Sequence, residues 1–256
     1  MEYSLIDTHC HITCDALYER IEEIMENAKH SNVKTMMIIC TNFIEYERAV
    51  YVKEKYQDFL IKIALGFHPC DLNDVTEQDF QRLETLIQEN KIDAVGEIGM
   101  DYYWDTVEKN IQKKGFHRQL QLAKKYHKPI IIHMREATKD TLDILSEYAP
   151  LKGIMHCFSG SIETAKQVMQ LGLFISFAGP ITFKNARGAV EVCADIPIDK
   201  LLTETDSPYL TPHPYRGTQN EPKYVTVTFE KICEIKQIAK ELLAKQMQEN
   251  FERLFI

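Results

Sequence analysis

Eight short apolar runs recur along the chain, and no other feature limits its fold so tightly. They lie at 5–8, 35–40, 61–67, 94–98, 129–133, 153–156, 173–177 and 201–205. Each is brief and rich in aliphatic or β-branched side chains, as strands buried on both faces of a parallel sheet must be. Amphipathic stretches separate them at 16–30, 76–89, 119–126, 138–148, 163–171 and 188–194, with 225–242 and 245–254 closing the chain. In 76–89, Thr76 is a candidate cap and Phe80, Leu83, Leu86 and Ile87 fall on one side. Alternating strands and helices predict an α/β fold, a TIM (β/α)8 barrel, with residues 1–256 as a single domain. The alternative is a doubly wound sheet. No GxGxxG follows the first run, so its dinucleotide-binding version lacks its main signal.

A chain of 256 residues suits one such barrel and buries enough core to fold without disulfides or a structural metal. Its seven cysteines are odd in number and contain no CxxC pair, which argues against a zinc ribbon and for a reducing compartment. The N-terminal residues show no basic, then apolar, leader pattern, and no run approaches 18 apolar residues. Together these predict a cytoplasmic protein with no membrane partner. The formal charge of −8 excludes a broad basic surface that grips nucleic acid by charge alone. It does not exclude a nucleic-acid substrate, because a pair of divalent ions brings about four positive charges to the spot where a phosphate would sit.

Barrels of this kind place their active sites at the C-terminal ends of the strands. Six good metal ligands fall there. The first strand runs into His9 and His11, the fourth carries Glu97, the fifth ends in His133, the sixth in His156, and the eighth runs into Asp206. Residues two apart on a strand share a face, so His9 and His11 point together while Cys10 points away. Any one of these residues alone reads as a core histidine or a structural ion-pair member. Six at strand ends do not, since unpaired carboxylates in a barrel mouth need a counter-charge. Six ligands exceed what one zinc ion takes from protein. Two divalent cations per chain are therefore expected. His9, His11, Glu97 and Asp206 hold one, Glu97, His133 and His156 hold the other, and Glu97 bridges because its strand lies between the two sets.

The segments IDTHCH (6–11), GFHP (66–69), GEIGMDYY (96–103), IIHMRE (131–136), MHCFSGS (155–161) and ETDSPYLTPHPYRGTQNEP (204–222) together resemble the TatD family of metal-dependent deoxyribonucleases, in the amidohydrolase superfamily. The resemblance spans nearly the whole chain. It implies a TIM barrel, a divalent-metal site and phosphodiester hydrolysis on DNA, and it assigns metal ligation to the same six positions. Two places depart from the family pattern: Cys70 stands where a second histidine is frequent, and Met134 where serine or alanine is usual. The metal is left open among Mg, Mn, Zn and Ni. Four histidines favour the softer ions, whereas the family is usually described as Mg-dependent.

The expected chemistry is attack of metal-activated water on a DNA phosphodiester, with single strands or strand ends as the preferred partner. Glu97 and Asp206 are the catalytic candidates, Asp206 as ligand and proton acceptor. His68, Arg135 and Arg216 are candidate substrate contacts. His68 reads equally as a turn residue before Pro69, and Arg135 equally as a surface arginine. His213, Lys184 and the aromatic run Tyr102, Tyr103, Trp104 lie in loops where barrels place substrate contacts. Asp7 and Glu204 are candidates to accept a hydrogen bond from a ligand histidine and fix its tautomer. Two rival readings stay open: a hydrolase of another ester, amide or small phosphodiester, and a non-catalytic metal-binding protein.

Overall fold

The structure, a computed structural model, describes residues 3–256. In chain order the elements are β1 (Leu5–Cys10), α1 (Asp15–Tyr18), α2 (Ile21–His30), β2 (Val33–Cys40), α3 (Phe43–Lys55), β3 (Leu60–Leu65), α4 (Glu77–Gln88) and β4 (Ala94–Asp101). They continue with α5 (Lys109–Lys125), β5 (Ile130–Arg135), α6 (Thr138–Ser146), β6 (Gly153–Met155), α7 (Ile162–Gln170), β7 (Phe174–Phe177), α8 (Arg187–Asp195), β8 (Leu201–Thr203), α9 (Val225–Lys236) and α10 (Lys240–Phe255). Eight parallel strands lie in sequence order in one sheet. The sheet curls until β8 meets β1, and the helices surround it: a TIM barrel. Among the described residues no helix is long and apolar enough to cross a membrane.

All eight apolar runs became strands, because residues buried on both faces have no polar alternative to the sheet. Their ends moved. β4 extends to Asp101 and β5 to Arg135, whereas β6 and β8 stop before His156 and Asp206. The helices departed further from expectation. Residues 16–30 are two helices, since Gln219 Nε2 donates to the Ala16 carbonyl and Arg20 N turns back to Leu17 O. Residues 225–242 are also two, broken at Gln237, which adopts the left-handed conformation. The last helix starts at Lys240 rather than 245. Helix α3 was not expected. Its buried stripe is only Tyr46, Ala49 and Val52, and Ile44 is exposed, which blurs the periodicity. α5 begins ten residues before position 119, because its first half buries Gln112 and Gly115 rather than aliphatics.

The junction of β8 with β1 carries few backbone bonds. Asp206 N donates to His9 O at 2.9 Å and His11 N to Ser207 O at 2.8 Å. Side chains supply the rest. The Asp7 carboxylate accepts from Thr205 N at 2.9 Å and Thr205 Oγ1 at 2.6 Å, and Thr8 Oγ1 donates to Thr203 O at 3.1 Å. From outside, α10 braces β8 through Asn250, fully buried, whose amide donates to Leu201 O at 2.9 Å and Ile198 O at 2.8 Å.

A buried carbonyl left without a donor costs roughly 1–3 kcal/mol. Asn250→Leu takes the side-chain donor from the Leu201 carbonyl and leaves the Ile198 carbonyl with the Leu201 N–H alone, so it is expected to lower unfolding stability by about 2 kcal/mol in a urea titration. Thr76→Ala removes only the exposed capping box that starts α4 and should cost about 1 kcal/mol. Equal midpoint shifts for the two variants would show that Asn250 does not brace the junction.

Candidate metal centre

The strands deliver their polar ends into a cavity of ≈ 550 Å³ whose floor is Glu97, His11, His133, His156 and Asp206. Glu97 faces inward from β4 and is nearly sealed from solvent, at 3% exposure. Its two oxygens look in different directions. Oε2 lies 3.2 Å from His9 Nε2 and 3.6 Å from His11 Nε2. Oε1 lies 2.7 Å from both His133 Nδ1 and His156 Nε2. Asp206, carried past β8, places Oδ1 3.6 Å from each of His9 Nε2 and His11 Nε2, whose nitrogens are 3.1 Å apart.

These donors fit a cation. Four N and O atoms converge on one side of Glu97, separated by 3.1–3.6 Å where measured. Ligands of a tetrahedral ion at about 2.0–2.2 Å lie roughly 3.3–3.6 Å apart. On the other side the distances are those of hydrogen bonds, with imidazole protons standing where a cation would. Among the described residues, four groups of His, Cys, Asp and Glu side chains come close enough to share an ion, three of them made of expected ligands and His68. The charge balance agrees. Glu97, Asp101 and Asp206 line one mouth with Glu204 buried behind His156, and among the described residues Arg135 is the single Lys or Arg lining the cavity.

Burial alone would push the Glu97 carboxyl up, but the imidazoles of His156 and His9 outweigh it and hold the group well below the usual carboxylate range. The reciprocal effect raises His156 well above the ordinary imidazole value, despite its burial. His11 and His133 are also raised, by hydrogen bonds to Asp206 and to Asp101 that overcome their burial. His9, packed face to face with His156 at 3.9 Å between ring centres, is lowered by burial and by that neighbour. The carboxylates thus raise the proton affinity of the imidazoles around them, and a divalent ion held there would supply the same compensating charge.

Two further carboxylates hold the rings. Glu204 Oε1 accepts from His156 Nδ1 at 3.2 Å and from Cys157 N at 2.8 Å. That bond leaves His156 Nε2 free to face Glu97. Asp101 Oδ2 lies 2.9 Å from His133 Nε2, so the other nitrogen, Nδ1, faces inward. Each bond fixes the orientation of its ring and turns the opposite nitrogen toward Glu97.

The profile of one protein family, described as TatD related DNase, matches residues 6–256. The chain belongs to that family. It is 44% identical over 253 residues to a Bacillus subtilis protein described as the uncharacterized metal-dependent hydrolase YabD, covering 98% of both chains. It is 35% identical to the Escherichia coli K12 metal-dependent hydrolase YcfH, over 98% of this chain and 95% of that one. Among solved structures it is similar to YJJV, a TatD homologue from Escherichia coli K12, with a TM-score of 0.92, 30% identity and coverage of 98% and 97%.

The other residues singled out from the sequence divide. His68 lines the cavity as the cap of a short 3-10 turn (Pro69–Asp71). Its Nδ1 accepts from Cys70 N at 3.2 Å, and its Nε2 lies 3.8 Å from Glu97 Oε1. Burial lowers its pKa to about 4, so it is neutral with the proton on Nε2. Arg135 lies at the mouth with its guanidinium 3.7 Å over the Tyr103 ring. Arg216 does not line the cavity. Its guanidinium lies 4.1 Å over Phe183, because the loop after β8 folds onto the one after β7. His213 follows that loop, its N–H bonded to Thr182 Oγ1, and Lys184 is exposed outside the cavity. Asp7 needs correction too. It touches no ligand ring and instead bonds Thr205 and the His9 N–H. Burial pushes it up to about 8, against the lowering effect of the hydrogen bonds it accepts from Thr205 and His9.

Asp101 joins the site although the sequence alone gives it no role, even within GEIGMDYY. Taking the fourth strand to end at 98 hid it. On a strand that continues, Glu97 and Asp101 are four apart and share a face. Cys70 joins His68 and Asp101 in one of the close groups, which gives the departure from the family pattern a place at the cavity wall.

Removing Glu204 frees the His156 ring to rotate and exchange tautomers. Glu204→Ala is expected to weaken divalent-metal binding by about 10–100-fold, read by competition with a fluorescent chelator. Unchanged affinity in the folded variant would show that the outer carboxylate does not orient the ring.

Proposed function

We propose that this chain is a divalent-metal-dependent hydrolase that cleaves DNA phosphodiester bonds, with two cations held on either side of Glu97. The observation that carries the reading is the division of one buried carboxylate between two sets of donors, Oε2 toward His9 and His11 and Oε1 toward His133 and His156. Membership of a family described as TatD related DNase supports DNA as substrate, and relatives named metal-dependent hydrolases support the reaction class.

His9, His11, Asp206 and Glu97 would hold one ion, and Glu97, His133 and His156 the other. Such ions supply Lewis-acid polarisation of a phosphoryl oxygen and lower the pKa of a water nucleophile. The protein's own groups do the rest. The Asp206 carboxylate, less buried than Glu97 and open to the cavity, accepts the proton of the attacking water. Arg135, held flat on Tyr103, pairs with a phosphate at the mouth. His68, neutral and with its Nε2–H turned into the cavity, donates a hydrogen bond to the phosphoryl group or the departing oxygen. The donor set of four histidines and two carboxylates suits Zn, Mn or Ni, and Mg where oxygen ligands from water complete the shell.

The test is to strip the protein of metal, reload it with Mg, Mn, Zn or Ni, and present single-stranded DNA, double-stranded DNA and an aryl phosphodiester. Cleavage of DNA, faster on single strands or ends, is expected. Cleavage of the aryl ester alone would replace the nuclease by a small-phosphodiester hydrolase on the same machinery. Glu97→Gln should lose more than the ~100-fold that an outer carboxylate commands, together with bound metal by elemental analysis. Full activity and full metal content in that variant would remove the bridge.

A further inference from the structure

The foot of the barrel, at the opposite end of the strands from the metal donors, carries a second cavity. It measures ≈ 260 Å³ and lies where α5 ends and β5 and β6 begin. Its floor is apolar, with Leu120 from α5, Ile130 from the first position of β5 and Leu151 from the turn before β6. Its walls are basic. Lys124, His127, Lys128 and Lys152 line it, and among the described residues no Asp or Glu does. In a chain of formal charge −8, that is a local excess of positive charge with nothing beside it to balance it.

The backbone that carries these groups is fixed. His127 takes the left-handed conformation, φ 55°, and closes α5. Its N–H donates to Lys124 O at 3.3 Å, and the N–H of Lys128 donates to Ala123 O at 2.9 Å. Ile130 N donates to Lys152 O at 3.0 Å, which ties the starts of the two strands together. The ammonium of Lys128 is already engaged, donating to Ile92 O at 2.7 Å and Asn90 Oδ1 at 3.1 Å. Those of Lys124 and Lys152 form no ion pair among the described residues, whereas Lys125, next along the chain, meets Glu84 at 2.7 Å. Lys124 Nζ stands 5.6 Å from the ring centre of Tyr148, which also lines the cavity and has its hydroxyl 2.9 Å from His117 Nδ1.

Two uncompensated ammonium groups above an apolar floor suit one kind of guest, an anion with an apolar body. The volume falls below the range of about 300–1,000 Å³ usual for drug-sized ligands, so that body is small. A phosphate monoester offers up to two negative charges and three terminal oxygens, which answer two ammonium groups and an imidazole. A carboxylate offers one charge and two oxygens. We propose that this cavity binds a small aryl phosphate, with Lys124, Lys152 and His127 on the phosphate and Leu120, Leu151 and Tyr148 against the ring. The site needs neither the metal ions nor the hydrolysis proposed above.

The test uses zinc-loaded, isotope-labelled protein and reads backbone amide resonances. It is titrated with phenylphosphonate, which cannot be hydrolysed, and separately with inorganic phosphate, benzoate and benzamide. Phenylphosphonate should saturably shift the resonances of 120–130 and 148–153, whatever it does at the metal centre. The other three should bind there more weakly, because each lacks the ring, the second charge or any charge. Lys124→Ala combined with Lys152→Ala should weaken phenylphosphonate binding at the foot by about tenfold or more and leave any shifts at the mouth unchanged. Both side chains are exposed, so the doubly substituted protein keeps its core. Shifts confined to the mouth, unchanged affinity in the double variant, or inorganic phosphate binding as tightly as phenylphosphonate overturns the proposal.

Discussion

A carboxylate buried at the centre of the barrel mouth, and shared by four imidazoles from three directions, is the constraint around which the rest is arranged. Glu97 cannot stay ionised at 3% exposure without positive charge on both sides. His9 and His11 approach one oxygen from β1 and its end, and His133 and His156 approach the other from β5 and β6. Only a closed barrel brings these strand ends to one point. The polar cluster and the fold are therefore two statements of the same geometry: the strands must tilt and close for the imidazoles to meet, and the cluster is tolerable only when compensated by protons or metal ions.

Closure is least regular where β8 meets β1. The ladder there is thin, and Asp7, Thr8 and Thr205 replace missing backbone bonds with side-chain ones. This is also where His9 and Asp206 enter the centre, linked by the hydrogen bond from Asp206 N to His9 O. A regular ladder would have fixed both residues in flat extended geometry. The irregular junction lets Asp206 take a left-handed backbone, φ 56°, and aim its carboxylate at the two histidines. Asn250 on α10 then holds β8 from behind.

Outer carboxylates connect the centre to its surroundings. Glu204 ties His156 to the backbone of Cys157, and Asp101 ties His133 to the loop that carries Tyr103 and Trp104. Each acid therefore serves the ring on one side and a loop on the other. With an overall charge of −8, positive charge at the mouth is confined to Arg135 and to any cation the donor set would hold, rather than spread over the surface.

The sequence by itself determined the barrel and the six inward donors. Eight apolar runs alternating with amphipathic stretches favour a closed barrel over a doubly wound sheet, and residues at the ends of parallel strands share one face of the molecule whatever the loops do. It also marked Glu97 as the middle of the set, because strand order is sequence order. What it left undecided depends on contacts between distant segments. The true end of β4, and with it Asp101, follows from pairing with β5 as far as Arg135. The place of Asp7 at the junction follows from closure with β8, and the distance of Arg216 from the cavity follows from packing on Phe183. α3 and the first half of α5 carry too few aliphatics to announce themselves, and form because the barrel offers them a surface to cover. Periodicity within a segment tells which face is buried. Only the tertiary structure tells against what, and so which nitrogen of a histidine is held, which carboxylate holds it, and which loop that carboxylate steadies.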